Sequence, residues 1–85
     1  MLQTLEDWSY NIQEKIFRNQ FKEVQADVIS GSTLLADIAS ILSDKNLKVY
    51  NDIILEILLS VQKSDLLLLA DLLEFKLKPF LQKLK

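Results

Sequence analysis

Two side chains are missing from this chain and two more are nearly so: its 85 residues include no Cys, no His, one Gly and one Pro. Without Cys there is no disulfide framework, thiol nucleophile or zinc ribbon, and without His the commonest metal ligand and neutral-pH acid/base are absent. Any catalysis would rest on carboxylates and lysines. A single Gly excludes phosphate-cradling loops such as GxxxxGK[ST] or GxGxxG, which need backbone freedom at several positions. The scarcity of turn formers also argues against a β-sandwich or barrel. Long apolar runs are lacking too. The longest, Leu66 to Ala70, is far below the roughly 20 residues that span a bilayer.

Charge of one sign is equally scarce. The net charge is −2, which offers no basic footprint for nucleic acid. Residues 1–43 carry six acids against three bases, whereas Lys76, Lys78, Lys83 and Lys85 stand without a neighbouring acid over the last ten residues. Lysines at a helix C-terminus complement its dipole and keep a leucine-rich end in water. The N-terminus lacks a basic n-region and an apolar h-region, so no signal peptide is expected and the protein reads as cytoplasmic.

What is present is apolar and helical. The chain is 49% hydrophobic, and eighteen of those residues are Leu, eight Ile and only four Val, a composition of helices rather than strands. The expected fold is all-α: one domain, 1–85, a compact antiparallel up-and-down four-helix bundle with helices at about 4–17, 20–43, 47–62 and 65–84. In the first helix, with Thr4 as expected N-cap, Leu5, Trp8, Ile12 and Ile16 share one face. A turn at Arg18-Asn19-Gln20 accounts for the jump in phase beyond it, with Asn19 suited to a left-handed helix end.

From Phe17 the pattern Phe17, Phe21, Val24, Val28, Gly31, Leu35, Ile38, Leu42 repeats with gaps of four and three, a seam of coiled-coil type. Its phase favours a helix running through Gly31, where the missing side chain admits a close neighbour. The competing reading is a break at Ser30-Gly31-Ser32-Thr33, a C-cap followed by an N-cap. Asp44-Lys45-Asn46 is expected to close this helix. The third buries Tyr50, Ile53, Ile54, Ile57, Leu58 and Val61. The fourth, capped by Ser64 or Asp65, buries Leu66, Leu69, Leu73, Leu77, Phe80 and Leu84. It bends rather than ends at Pro79, whose ring removes one donor and presses on the carbonyl of Phe75.

No catalytic, cofactor-binding or metal-ligating residue is assigned. The carboxylate pairs Asp71/Glu74 and Glu23/Asp27 have helical spacing, but a di-metal bundle needs His as well, and both pairs fall on polar faces. A carboxylate-based enzyme or metal protein remains an alternative if these four converge. Ser30, Ser32 and Thr33 lack an activating partner at motif spacing. Trp8 is expected as a core anchor, and Tyr10 points elsewhere.

The informative anomaly is a surplus of apolar residues. Leu68, Leu72 and Phe75 lie about 180° to 240° from the core stripe of the last helix, and Leu55 and Leu59 are similarly placed on the third. These five residues are the expected partner interface. They are covered by the first helix, by another copy of the chain or by a client helix.

The stretch Asn51 to Leu84, above all Asp65-Leu66-Leu67-Leu68-Leu69-Ala70-Asp71-Leu72-Leu73-Glu74-Phe75 leading to Pro79, resembles the end of small bacterial all-helical proteins to which no activity is attached. In size and helix pattern the chain is similar to flagellar and type III export chaperones. That resemblance implies a non-catalytic role, binding the amphipathic segment of a secreted subunit. The residues independently imply a protein–protein interaction module: a helical adaptor, a small chaperone or a homodimer, its partner a protein or itself, with no nucleic acid and no membrane span.

Overall fold

The computed structural model describes residues 2–84, and among them only helices and turns occur. Helix α1 (Leu2–Phe17) is followed by α2 (Phe21–Ser30) and α3 (Ser32–Ser40), which meet at Gly31, and then by α4 (Asp44–Gln62). The last stretch joins α5 (Leu66–Leu72), a π-helical turn (Leu73–Leu77) and α6 (Lys78–Leu84) without interruption. These four helical stretches form the expected all-α bundle, 36 × 22 × 22 Å with a radius of gyration of 12.0 Å, as compact as about 12 Å expected for this length. Successive stretches run antiparallel. Trp8 of α1 meets Asp27 of α2, and Tyr50 of α4 meets Leu35 of α3 and Phe80 of α6. The first and last stretches are antiparallel too, Gln3 sharing a cleft with Leu81 and Ile16 another with Leu66.

The turns at one end of the bundle follow one design. Asn19, at φ 60°, adopts the expected left-handed conformation; its N–H donates to the Ile16 carbonyl at 3.1 Å while Gln20 N–H reaches back to Lys15 at 2.9 Å. Ser64, at φ 56°, repeats this after α4, with Ser64 N–H to Val61 at 3.0 Å and Asp65 N–H to Ser60 at 2.8 Å. Both are Schellman closures, which satisfy the last carbonyls of a helix. Asp65 then caps α5 by accepting from Leu68 N–H at 3.1 Å. At the other end, Asp44-Lys45-Asn46 is not a turn but the first turn of α4. Ser43, extended at φ −64° and ψ 161°, accepts from Asn46 N–H at 3.4 Å and starts the helix three residues early. Helix α1 also starts early, so Thr4 lies inside it rather than capping it. Leu2 packs on the core, and Gln3 donates to Asp7 at 3.0 Å one turn on.

The expected seam is continuous in phase from Val24. Val24, Val28, Gly31, Leu35 and Ile38 are all buried, yet the helix is jointed at Gly31, whose ψ of −1° departs from the helical value of about −42°. Phe17 and Phe21 do not belong to this seam. The turn at 18–20 leaves both exposed at the bundle end, Phe17 at 78%. The φ of Gly31 is −80°, open to any residue, so glycine is needed there for room rather than for backbone freedom. A Cβ at this position would lie 2.4 Å from Trp8 Nε1 and 2.7 Å from its Cε2. The indole of α1 is thus seated on the joint, with Nε1 donating to the Asp27 carbonyl at 3.0 Å.

The core otherwise follows the stripes read from the sequence, with two revisions. On α4 the inward face centres on Ile53, Ile57 and Ser60, which turns Leu58 outward to an exposed position. Ser60 is fully buried, its hydroxyl satisfied by the Ile57 carbonyl at 2.7 Å, and its small size admits close helix contact. In the last stretch Leu81 joins the expected residues in the interior. Tyr50 and Phe80 stack with ring centroids 5.9 Å apart, and the Tyr50 hydroxyl donates to the Leu35 carbonyl at 2.9 Å.

Candidate interaction surface

With that core complete, a set of large apolar side chains remains in solvent on the outer side of α4 and the last helical stretch. Leu55 and Leu59, one turn apart on α4, are 58% and 41% exposed. On the last helical stretch, Leu68 of α5 and Phe75 of the π-helical turn are 42% and 72% exposed. Leu59 and Leu68 line a shallow groove together with Glu56, Ser60, Lys63 and Leu72. The Glu56 carboxylate accepts from Lys76 at 2.8 Å, which links the π-helical turn to α4 beside this groove. Both partners of this bridge are half exposed, so it orients more than it stabilises.

Four of the five expected interface residues are therefore available to a partner, and Leu72 is not. It is 4% exposed and forms the floor of the groove. The reason is geometric: α5 packs against both α1 and α4, so more of its circumference is enclosed than the single stripe of an outer helix. The first helix accordingly covers part of the surplus and leaves the rest open.

The second apolar patch was not legible as a surface. Phe21 and Leu67 border a groove between the two Schellman turns, lined also by Ile16, Asn19, Ser64 and Leu66, with Phe17 exposed nearby in sequence. The available signal was the turn at Arg18-Asn19-Gln20 itself, since residues flanking a bundle-end turn have little interior to enter.

The candidate chemical groups are scattered. Asp27 is ion-paired with Lys15 of α1, Glu74 pairs with Lys78 at 3.2 Å beside α1, and Glu23 and Asp71 are exposed. The four carboxylates do not converge, and among the described residues no group of three or more His, Cys, Asp or Glu could hold a metal ion. Lys76 and Lys78 of the basic tail have acidic partners, Glu56 of α4 and Glu74 one turn back; Lys85 lies outside the described residues. Ser30 donates back to the Asp27 carbonyl at 3.1 Å, while Ser32 and Thr33 are exposed at the start of α3. The exposed Tyr10 hydroxyl donates to Glu14 at 2.9 Å, and this hydrogen bond, with the carboxylate's charge, raises its pKa above the ordinary phenol value. Among the described residues no helix is long and apolar enough to cross a membrane. Comparison with family models, curated proteins and solved structures finds no match to the chain.

Proposed function

We propose that the protein is a non-catalytic interaction module of the cytoplasm, an adaptor, small chaperone or self-associating bundle that works by helix-to-helix contact. One observation carries this reading: Leu55, Leu59, Leu68 and Phe75 are exposed on α4 and the last helical stretch outside the core cluster, and Leu59 and Leu68 line one groove between them. An apolar strip rimmed by charges is the surface that an amphipathic helix covers, its own apolar anchors entering the groove between two packed helices. The composition supports the same role, since the chain carries no Cys or His and its candidate carboxylates lie apart.

The test is affinity capture from the cells that make the protein, comparing the native chain with the double substitution Leu59→Asp and Phe75→Asp. Both sites are exposed, so the variant should keep its helical circular dichroism while losing the captured protein. Capture that is unchanged by the two aspartates would sink the assignment. A secreted filament subunit as the captured protein would narrow the role to an export chaperone.

A further inference from the structure

We infer that the occupant of the strip is a second copy of this chain, with α4 of one protomer lying antiparallel across α4 of the other about a two-fold axis. The inference rests on reading the strip as a binding surface and deepens it by naming the partner. Its starting point is the order of residues along the outer face of α4. Asp52, Leu55, Leu59 and Lys63 follow one another at spacings of three, four and four, which keeps them within a narrow band of one helix face at about 100° per residue. All four are exposed.

Asp52 and Lys63, the C-cap of α4, carry opposite charges, with the exposed Lys48 one turn before Asp52 in the same band. Neither Asp52 nor Lys63 takes part in an ion pair or side-chain hydrogen bond among the described residues. The order acid, leucine, leucine, base is its own complement when reversed. A two-fold axis perpendicular to α4 near Ile57 brings Asp52 of each protomer beside Lys63 of the other, twice. The midpoint of the charged pair lies between residues 57 and 58 and that of the leucine pair at 57. The same operation therefore sets Leu55 against Leu59 of the other protomer to within about one residue rise of 1.5 Å. A parallel arrangement would instead place like charges together at both ends, which opposes it. Isologous contacts of this kind close on themselves and stop at two copies. Leu68, on the far side of the groove, widens the contact on either flank of the paired α4 helices.

Sedimentation equilibrium of the full chain over a range of concentrations tests this. The native protein should sediment as a dimer at the upper end. Leu55→Asp with Leu59→Asp should leave only monomer, and Asp52→Lys or Lys63→Asp alone should each weaken the dimer about tenfold. The decisive variant combines Asp52→Lys with Lys63→Asp. It re-forms both cross-pairs with their signs exchanged and should return to within about threefold of the native affinity. A monomer at every concentration overturns the proposal, as does a double variant weaker than either single one. So does a dimer indifferent to the two leucine changes, which would place the contact elsewhere, such as the Phe17–Phe21–Leu67 end. If the chain is monomeric while a captured partner still depends on Leu59 and Phe75, the homodimer fails and the interaction module stands. Loss of both results removes both.

Discussion

Contacts between α1 and the α2–α3 pair add directed polar bonds to a buried apolar core, whereas those between α4 and the last helical stretch are dominated by packing. In the first region the polar contacts from α1 converge on Asp27, whose carbonyl accepts from Trp8 and whose carboxylate pairs with Lys15, beside the local bonds from Ser30 and Gly31 N–H to the same carbonyl. In the second, Ile53, Ile57, Leu69, Leu73 and Leu77 make up the interior, and the polar link across it is the half-exposed Glu56–Lys76 bridge. Each region holds one irregularity, and they are resolved differently. The joint at Gly31 is filled from outside by an indole. The π-helical turn is resolved within its own strand of helix, where Lys78 N–H bonds the Leu73 carbonyl five residues back. Apolar packing has no directionality, so a leucine-rich region can carry residues beyond what its own core uses; the first region leaves Phe17, Phe21, Ile29 and Ile41 exposed as well, so aimed hydrogen bonds do not remove such a surplus.

The largest effect that would separate inner from outer packing is expected at two adjacent leucines. Leu69 is fully buried and Leu68 is not, so Leu69→Ala should cost about 2–5 kcal/mol and Leu68→Ala under about 0.5 kcal/mol in urea denaturation. Equal costs at the two positions would show that α5 does not divide in this way.

The directed region is probed next by Gly31→Ala. Although Ala favours a helix over Gly by about 1 kcal/mol, its Cβ would strike the Trp8 ring, and a net loss of about 1–3 kcal/mol is expected. In a Trp8→Ala background the same change should turn stabilising, by up to about 1 kcal/mol. A double-mutant cycle that shows no such reversal of sign would mean that the indole does not govern the glycine.

The smallest effect concerns Tyr50, which ties the two regions through its bond to Leu35. Tyr50→Phe should cost about 1 kcal/mol near neutral pH. Burial pushes the Tyr50 pKa up to about 12 from 10.0, so its neutral form is favoured in the folded chain and its contribution is complete below pH 10. Stability should then fall as pH rises from 10 toward 12, where the unfolded chain ionises first. The phenylalanine variant lacks this component, so the gap between the two proteins should narrow across that window. A gap that stays constant up to pH 12 would contradict the assignment.

The contrast between the regions also explains what could be read from the sequence. Periodicity located the seam from Val24 to Ile38 and the stripe from Leu69 to Phe80, because those positions report their burial by being apolar. It also marked Leu55, Leu59, Leu68 and Phe75 as surplus. Ser60 escaped, since a buried hydroxyl satisfied by its own helix leaves no hydrophobic signal. Leu58 and Leu72 were misplaced because the width of a buried face depends on how many neighbours a helix has. The pairing of Trp8 with Gly31 joins residues 23 positions apart, and spacing within one helix cannot disclose it.

The π-helical turn bears on how this chain tolerates changes of length. It wraps one residue more than an α-turn, so deleting one residue between Leu73 and Leu77 would let an ordinary α-helix form with Leu69 and Leu81 still facing inward. The turn also contains Phe75, whose carbonyl the ring of Pro79 would strike in an undistorted α-helix. Shortening the chain there would bring that collision back. The added residue and the proline therefore form a linked pair of characters, expected to be gained or lost together in any lineage that carries this helix.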